Sequence, residues 1–239
     1  MVIPCIDMKI ILIGTGNLAT RLAVALQKKG MTPAYIYSRT RESAEQLSER
    51  LRDVPYSTDI SRVPTDGDLY IFAVKDSALL DLVSRMPSNR GLWVHTAGSM
   101  DMEVFAPYTA RYGVFYPMQT FSKERETDFD DIPIFVEANH TDDTERLQEL
   151  AGRLSTKVYE ATSEQRKYLH LAAVFACNFT NHLYALCDRI LSEHGLPFET
   201  MLPLIRETAA KVADMPPAQA QTGPAIRYDK NVIDKQMAL

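Results

Sequence analysis

Cysteine is scarce in this chain of 239 residues: Cys5, Cys177 and Cys187 are the whole set, with no C-x-x-C pair. The last two lie on what reads as one helix, about 15 Å apart at 1.5 Å per residue, too far for a disulfide. An odd, unpaired set of thiols fits a reducing compartment, and the cytoplasm is expected. An excess of positive charge is also missing. Lys plus Arg number 26 against 31 Asp plus Glu, a net charge of −5, so the electrostatic footprint of nucleic-acid binding is absent. No stretch approaches the roughly 18 apolar residues of a membrane span. No basic region followed by an apolar run marks a signal peptide. Internal repeats and low-complexity stretches are lacking too. What remains is ordinary globular composition, 46% apolar, 24% charged and 9% aromatic, which excludes disordered, collagen-like and coiled-coil chains. Met8 directly precedes the first predicted strand, so residues 1–7 are expected to be an unstructured extension.

The first half alternates short apolar runs with amphipathic segments. Strands are predicted at residues 9–13, 34–38, 68–74, 91–95, 114–118, 132–137 and 157–160. Helices are predicted at 17–29, 41–52, 77–86 and 141–154. Continuous apolar strands alternating with helices mean an α/β chain with a mostly parallel sheet, covered on both faces. After about residue 161 the strands stop. A long helix from Ser163 to His194 closes at Gly195 and Pro197, and a second runs from Phe198 to Ala213. Met215-Pro-Pro217 breaks it, and a Gly223-Pro224 turn leads to a last short helix after Asp229. The expected division is an α/β domain over 1–160 and an all-α domain over 161–239.

The strongest motif is Gly14-Thr15-Gly16-Asn17-Leu18-Ala19, directly after the first strand and opening the first helix. Gly14 allows the tight turn, Gly16 lets the backbone approach a pyrophosphate, and Ala19 permits close helix–strand packing. The helix N-terminus adds unpaired N–H groups and positive potential. The second strand ends in Ser38-Arg39-Thr40, with no acid before Glu42. An NAD site places Asp or Glu there for the ribose 2′-hydroxyl; hydroxyls and a guanidinium suit a 2′-phosphate instead. NADP(H) is therefore the expected cofactor, against the alternative that Arg39 is a solvated surface residue. Two later strand ends face the same crevice: Ala73-Val74-Lys75-Asp76 and His95-Thr96-Ala97-Gly98-Ser99. The small residues after His95 would let a nicotinamide or substrate approach the backbone. Lys75 and Asp76 read equally well as a plain helix start.

On a helical wheel the long helix is apolar over more than half its girth, through Leu169, Phe175, Phe179, Leu183, Leu186, Ile190 and others, so it is expected to be mostly buried. His170, Cys177, Asn181 and Tyr184 nevertheless share one stripe, flanked by Asn178. Polar groups on a buried helix cost about 1–3 kcal/mol each unless hydrogen-bonded. They form either a satisfied core network or the lining of a substrate pocket. So much apolar surface on about eighty residues predicts a homodimer through these helices. Farther on, Thr222-Gly-Pro-Ala-Ile-Arg227-Tyr-Asp229 either starts a helix, with Asp229 as its N-cap, or delivers Arg227 to an anionic substrate.

Together these segments resemble a bacterial family of NADP oxidoreductases with a Rossmann-like domain in front and a helical domain of unknown function behind. Its wider relatives are pyrroline-5-carboxylate reductase, deazaflavin-dependent NADP reductase and the 6-phosphogluconate dehydrogenase-like group. The resemblance rests on the glycine motif, on His95–Ser99, on Phe115-Tyr-Pro-Met-Gln-Thr-Phe121, on His170–Asn178 and on Thr222–Asp229. It implies a doubly wound Rossmann-like domain, a 6-phosphogluconate dehydrogenase-like helical domain, NADP binding through the glycine loop and Ser38-Arg39-Thr40, and a dimer built on the helices. The chain departs from the pattern in two places. Tyr116 stands where many members have His before the proline, and the hydroxyacid dehydrogenases' catalytic Lys followed by Asn on one helix is missing.

The resulting expectation is an NADPH-dependent reductase of a small carbonyl or imine compound. His170 is the first candidate for the acid because histidine titrates near neutrality. Asn178 would orient the substrate, His95 is a second candidate near the nicotinamide, and Asn181 and Arg227 complete the substrate side. No metal ligand set is expected. The competing class is a non-catalytic module that senses the NADPH/NADP ratio, since neither a Lys-Asn pair nor a Ser-Tyr-Lys set is recognisable.

Overall fold

Residues 8–224 and 226–238 are described by the computed structural model of the chain. Cys5 and the extension expected at 1–7 lie outside the described residues. Strand β1 (Ile10–Ile13) is buried along its whole length, and its side chains alternate between two cores, as a period of two requires. Ile10 and Leu12 join Leu22, Leu26, Leu147 and Leu150 on one face of the sheet. Ile11 and Ile13 join Phe72, Leu79, Leu82, Trp93 and Phe105 on the other.

The elements follow the predicted alternation closely. After β1 come α1 (Asn17–Lys28), β2 (Tyr35–Tyr37), α2 (Arg41–Arg50), β3 (Tyr56–Ser57), β4 (Leu69–Phe72), α3 (Asp76–Arg85) and β5 (Leu92–His95). Then β6 (Tyr112–Pro117), β7 (Ile134–Ala138), α4 (Thr141–Leu154) and β8 (Val158–Glu160) complete the sheet. Its order is β3-β2-β1-β4-β5-β6-β7-β8. Every pairing is parallel except β6 with β7. The two-residue β3 had no readable signal, because so short a run carries no periodicity. With α1 and α4 on one face and α3 on the other, the sheet is doubly wound and Rossmann-like, as expected.

The helical part follows. α5 (Ser163–Ala173) opens with a capping box between Thr162 and Gln165. A π-helical segment (Val174–Phe179) separates it from α6 (Thr180–Glu193). α7 (Leu202–Asp214), the short α8 (Pro217–Ala220) and α9 (Lys230–Met237) come after, and Asp229 caps α9 by accepting from the Val232 N–H at 3.4 Å. The chain divides into two compact units between Cys177 and Asn178, within the π segment. Among the described residues, no helix is long and apolar enough to cross a membrane.

Two expectations for the long helix need correction. It is not one regular α-helix: the π segment carries i→i+5 bonds, so a wheel drawn at 100° per residue loses phase there. His170, before it, therefore cannot be assigned to one stripe with Asn181 and Tyr184 after it. Nothing in Val174–Phe179 warned of this, since it holds neither Pro nor Gly. Nor is the helix buried within its own chain. In the first unit Phe175 is 61% exposed, and in the second Leu183 is 62% exposed.

Candidate functional site

The glycine loop sits where the sheet changes direction. Ile13 pairs with Tyr37 of β2 on one side and with Phe72 of β4 on the other. This is the switch point at which ligands of open α/β sheets bind, beyond the carboxyl ends of the strands. Gly14 has φ +120°, and a Cβ there would lie 2.2 Å from the Ala73 carbonyl oxygen. Only glycine fits. Gly16 differs: its φ is −72°, and a Cβ would meet nothing within 4 Å. The chain itself makes no demand for glycine at this position, so the open space suits close approach by a ligand. No side chain caps α1 at Gly16, which leaves the helix N-terminus to an anion.

The end of β2 is latched to this loop. The hydroxyls of Thr15 and Ser38 lie 2.8 Å apart, both buried, and Ser38 Oγ also accepts from the Thr40 N–H at 3.4 Å. Ser38 is thus spent on holding the loop. Arg39 and Thr40 are exposed. Among the described residues Arg39 makes no ion pair or hydrogen bond, whereas Arg41 is held by Glu45 at 2.7 Å. Asn17 turns its amide to the Phe121 carbonyl at 3.0 Å. Arg21 donates to the carbonyls of Ser122, at 2.8 Å, and Lys123. The chain after β6 is therefore strapped across the start of α1, beside half-buried Leu18. Val74 is half-buried at the end of β4, and exposed Lys75 is the N-cap residue of α3. Asp76 accepts from Ser99 Oγ, joining the ends of β4 and β5.

His95 is fully buried. Its Nδ1 accepts from the Ala97 N–H at 3.2 Å, and its Nε2 faces the Asp101 carbonyl at 3.3 Å. Burial first, and then the nearby Arg166 charge, push its pKa down to about 4. Both ring nitrogens are thus engaged with backbone groups of the loop after β5, and His95 braces that loop. Arg166, also fully buried, braces the same loop from α5. It donates to the carbonyls of Ala97 at 3.3 Å and Met100 at 2.5 Å, and to Glu137 Oε2 at 2.8 Å. Glu137 accepts in addition from the Ser163 N–H and hydroxyl, at 2.8 and 2.7 Å.

The braced loop carries Gly98 into a tight contact. A Cβ on Gly98 would lie 2.6 Å from His170 Nδ1 and 2.9 Å from Tyr116 Cζ. Tyr116, from β6, sets its hydroxyl 3.3 Å from the same Nδ1, and the two rings meet edge to face. His170 is half-buried and Tyr116 is 8% exposed. Burial raises the tyrosine pKa, with Arg166 acting against it. The space left by Gly98 is thus filled by His170 and Tyr116.

The structure brings together the glycine loop, Ser38–Thr40, Val74 and Lys75 at one end of the sheet. His170, in the same unit, packs on the end of β5. Asn178, Asn181 and Arg227 belong to the second unit, and all three are exposed. Sequence reasoning missed the ion pair of buried Arg166 with half-buried Glu137. Neither an arginine in the first turn of a helix nor a glutamate near the end of a strand gives a sign of a partner so distant in sequence. Among the described residues no group of three or more His, Cys, Asp or Glu could hold a metal ion.

Comparison with known proteins places the chain. Residues 3–118 match a family described as a Rossmann-like domain, and residues 132–239 match a domain of unknown function, DUF2520. No curated protein matches. A crystal structure from Bacteroides fragilis, described as a putative NADP oxidoreductase, is 52% identical with a TM-score of 0.89, covering 97% of this chain and 90% of that one. A reductive aminase from Aspergillus terreus, in complex with NADPH and ethyl levulinate, shares the fold at 16% identity and TM-score 0.70, over 87% of this chain and 74% of that one. So does a pyrroline-5-carboxylate reductase from Coxiella burnetii, at 16% identity and TM-score 0.64, over 94% and 84%. The chain belongs to the family of the Bacteroides fragilis protein, which joins a Rossmann-like domain to a DUF2520 domain.

Proposed function

We propose that the chain is an NADP-dependent oxidoreductase that reduces a small carbonyl or imine compound. The observation that carries the cofactor choice is the pairing of Gly16 with Arg39: a glycine the chain does not need, and an unengaged guanidinium at the strand end where an NAD site has an acid. The description of the Bacteroides fragilis relative and the NADPH in the reductive aminase complex support it. Backbone N–H groups over Gly14–Leu18 would hold the pyrophosphate, with Thr15 and Ser38 keeping the loop in shape. Arg39 and Thr40 would hold the 2′-phosphate, and Val74 and Lys75 would flank the nicotinamide side. When bound, the nicotinamide supplies the hydride.

His170 is the proposed proton donor: its Nδ1 lies 3.3 Å from the Tyr116 hydroxyl, and its Nε2 would serve the substrate. Asn178, Asn181 and Arg227 are proposed as substrate-binding residues on their chemistry, two amides for orientation and a guanidinium for an anionic group. The proposed division of labour is 1–160 for the cofactor and 161–239 for substrate and assembly. We also propose that a second copy covers the exposed apolar side chains of the helices, Leu183 and Ile190 on α6 and Leu204 and Val212 on α7 among them. Competitive titration of NADPH and NADH into the wild-type protein tests the cofactor reading. Tighter binding of NADPH is expected, and equal or tighter binding of NADH would sink it.

A further inference from the structure

A histidine that gives a proton to a substrate must present an N–H on the side facing that substrate. Which nitrogen carries the proton is set by the hydrogen bond made by the other. Here His170 Nδ1 lies 3.3 Å from the Tyr116 hydroxyl, and Gly98 packs against both rings at this contact, leaving no room even for a Cβ. Gly98 is itself immobilised. Its neighbour Ala97 is fixed through its carbonyl by Arg166 and through its N–H by His95, and Met100 is fixed by Arg166.

We propose that Tyr116 and Gly98 are positioning residues: Gly98 seats the His170 ring and Tyr116 donates to its Nδ1, fixing the tautomer that carries the proton on Nε2. This rests on the reading of His170 as the proton donor. The donor role of Tyr116 is part of the proposal: a neutral phenol carries the hydrogen that Nδ1 would accept, and burial, which raises the Tyr116 pKa, keeps that hydrogen in place. The same burial excludes a relay in which Tyr116 loses its proton to refill Nδ1, since that would leave a phenolate out of water. The charge bearing on the pair is Arg166, one turn earlier on α5, and Glu137 at 2.8 Å balances it. Phe135, packed against Tyr116 at 6.4 Å between ring centroids, adds no charge.

Nitrogen-15 spectra of the His170 imidazole, recorded at about pH 8, above the ordinary imidazole range, test the pairing without any need for turnover. In the wild type Nδ1 should be unprotonated and hydrogen-bonded, with the proton on Nε2. In Tyr116→Phe the Nδ1 resonance should move toward that of a free lone pair. A proton on Nδ1 in the wild type, or an Nδ1 resonance indifferent to Tyr116→Phe, would overturn the proposal. In kinetics Tyr116→Phe should lower kcat about tenfold, the worth of one hydrogen bond, with the KM for NADPH unchanged. Unchanged kcat would also overturn it. Gly98→Ala is the second variant: it should move the His170 resonances and lower kcat at least as far, and wild-type resonances would count against the seat. If the wild type turns over no NADPH while the spectra are as expected, the reductase reading fails and the pairing stands.

Discussion

Thr15 and Ser38 join the glycine loop to the end of β2 through hydroxyls 2.8 Å apart. That contact ties Ser38 to the loop, and the next residue, exposed Arg39, is the one proposed to hold the 2′-phosphate. Arg39→Ala should therefore remove a charge-assisted phosphate contact and little else. Such a contact is worth about 1.5–3 kcal/mol, so NADPH should bind roughly tenfold to a hundredfold more weakly. NADH affinity should stay near the wild-type value. Calorimetric titration of both nucleotides checks this, and parallel losses for the two would assign Arg39 to the loop's stability instead.

His170→Ala should lose most turnover while its unfolding transition and NADPH affinity stay near wild type. His170 is half-buried and makes one side-chain hydrogen bond, so its contribution to stability is about 1 kcal/mol. A variant that unfolds several degrees early, with turnover per folded molecule unchanged, would return His170 to a structural role.

Arg166→Met should be costly in a different way. It leaves Glu137, paired at 2.8 Å in the folded state, without its counterion, and it frees the carbonyls of Ala97 and Met100. Breaking a buried pair from one side typically costs about 3–5 kcal/mol, readable by urea denaturation. The double variant Arg166→Met/Glu137→Gln should recover part of the loss. A single-variant effect under about 1 kcal/mol would contradict the bracing role.

The neutral, buried His95 gives stability a pH dependence. Its folded pKa of about 4 lies below the ordinary value of 6.5, so below pH 6.5 the unfolded chain takes up a proton that the folded one refuses. The contribution is complete above about pH 6.5, shrinks as the pH falls, and is gone below about 4. The 2.5-unit span corresponds to roughly 3 kcal/mol. Denaturation midpoints measured from pH 7 to 4 should fall with this slope in the wild type, and the slope should flatten in His95→Asn. Equal slopes would place the titration elsewhere.

The fold was legible because its signals are local. Alternating apolar and amphipathic stretches, Gly14-x-Gly16 and the acid-free end of β2 all act within a few residues of themselves. The second tier of the site was not legible. For His95 the sequence shows the imidazole and not the two backbone groups it meets. Arg166 drew no reading because its partners lie on β7 and the loop after β5, distant in sequence. Gly98 was read as room for a ligand, and the structure gives that room to His170 and Tyr116. The π segment had no composition signal at all, yet it decides which residues share a face.

Light scattering at micromolar concentration tests the assembly. A mass of two chains is expected, because exposed apolar patches beyond a few hundred Å² are rare on monomers. A monodisperse species at 27.0 kDa, one chain, would defeat the dimer.

NADPH absorbance should be followed with the wild-type protein over a panel of cyclic imines, keto acids and oxidised deazaflavin, beside His170→Ala under the same conditions. NADPH consumption is expected with an imine or carbonyl compound, slower with NADH and largely lost in His170→Ala. Tight NADPH binding with no consumption across the panel would contradict it, and would favour a non-catalytic sensor of the NADPH/NADP ratio.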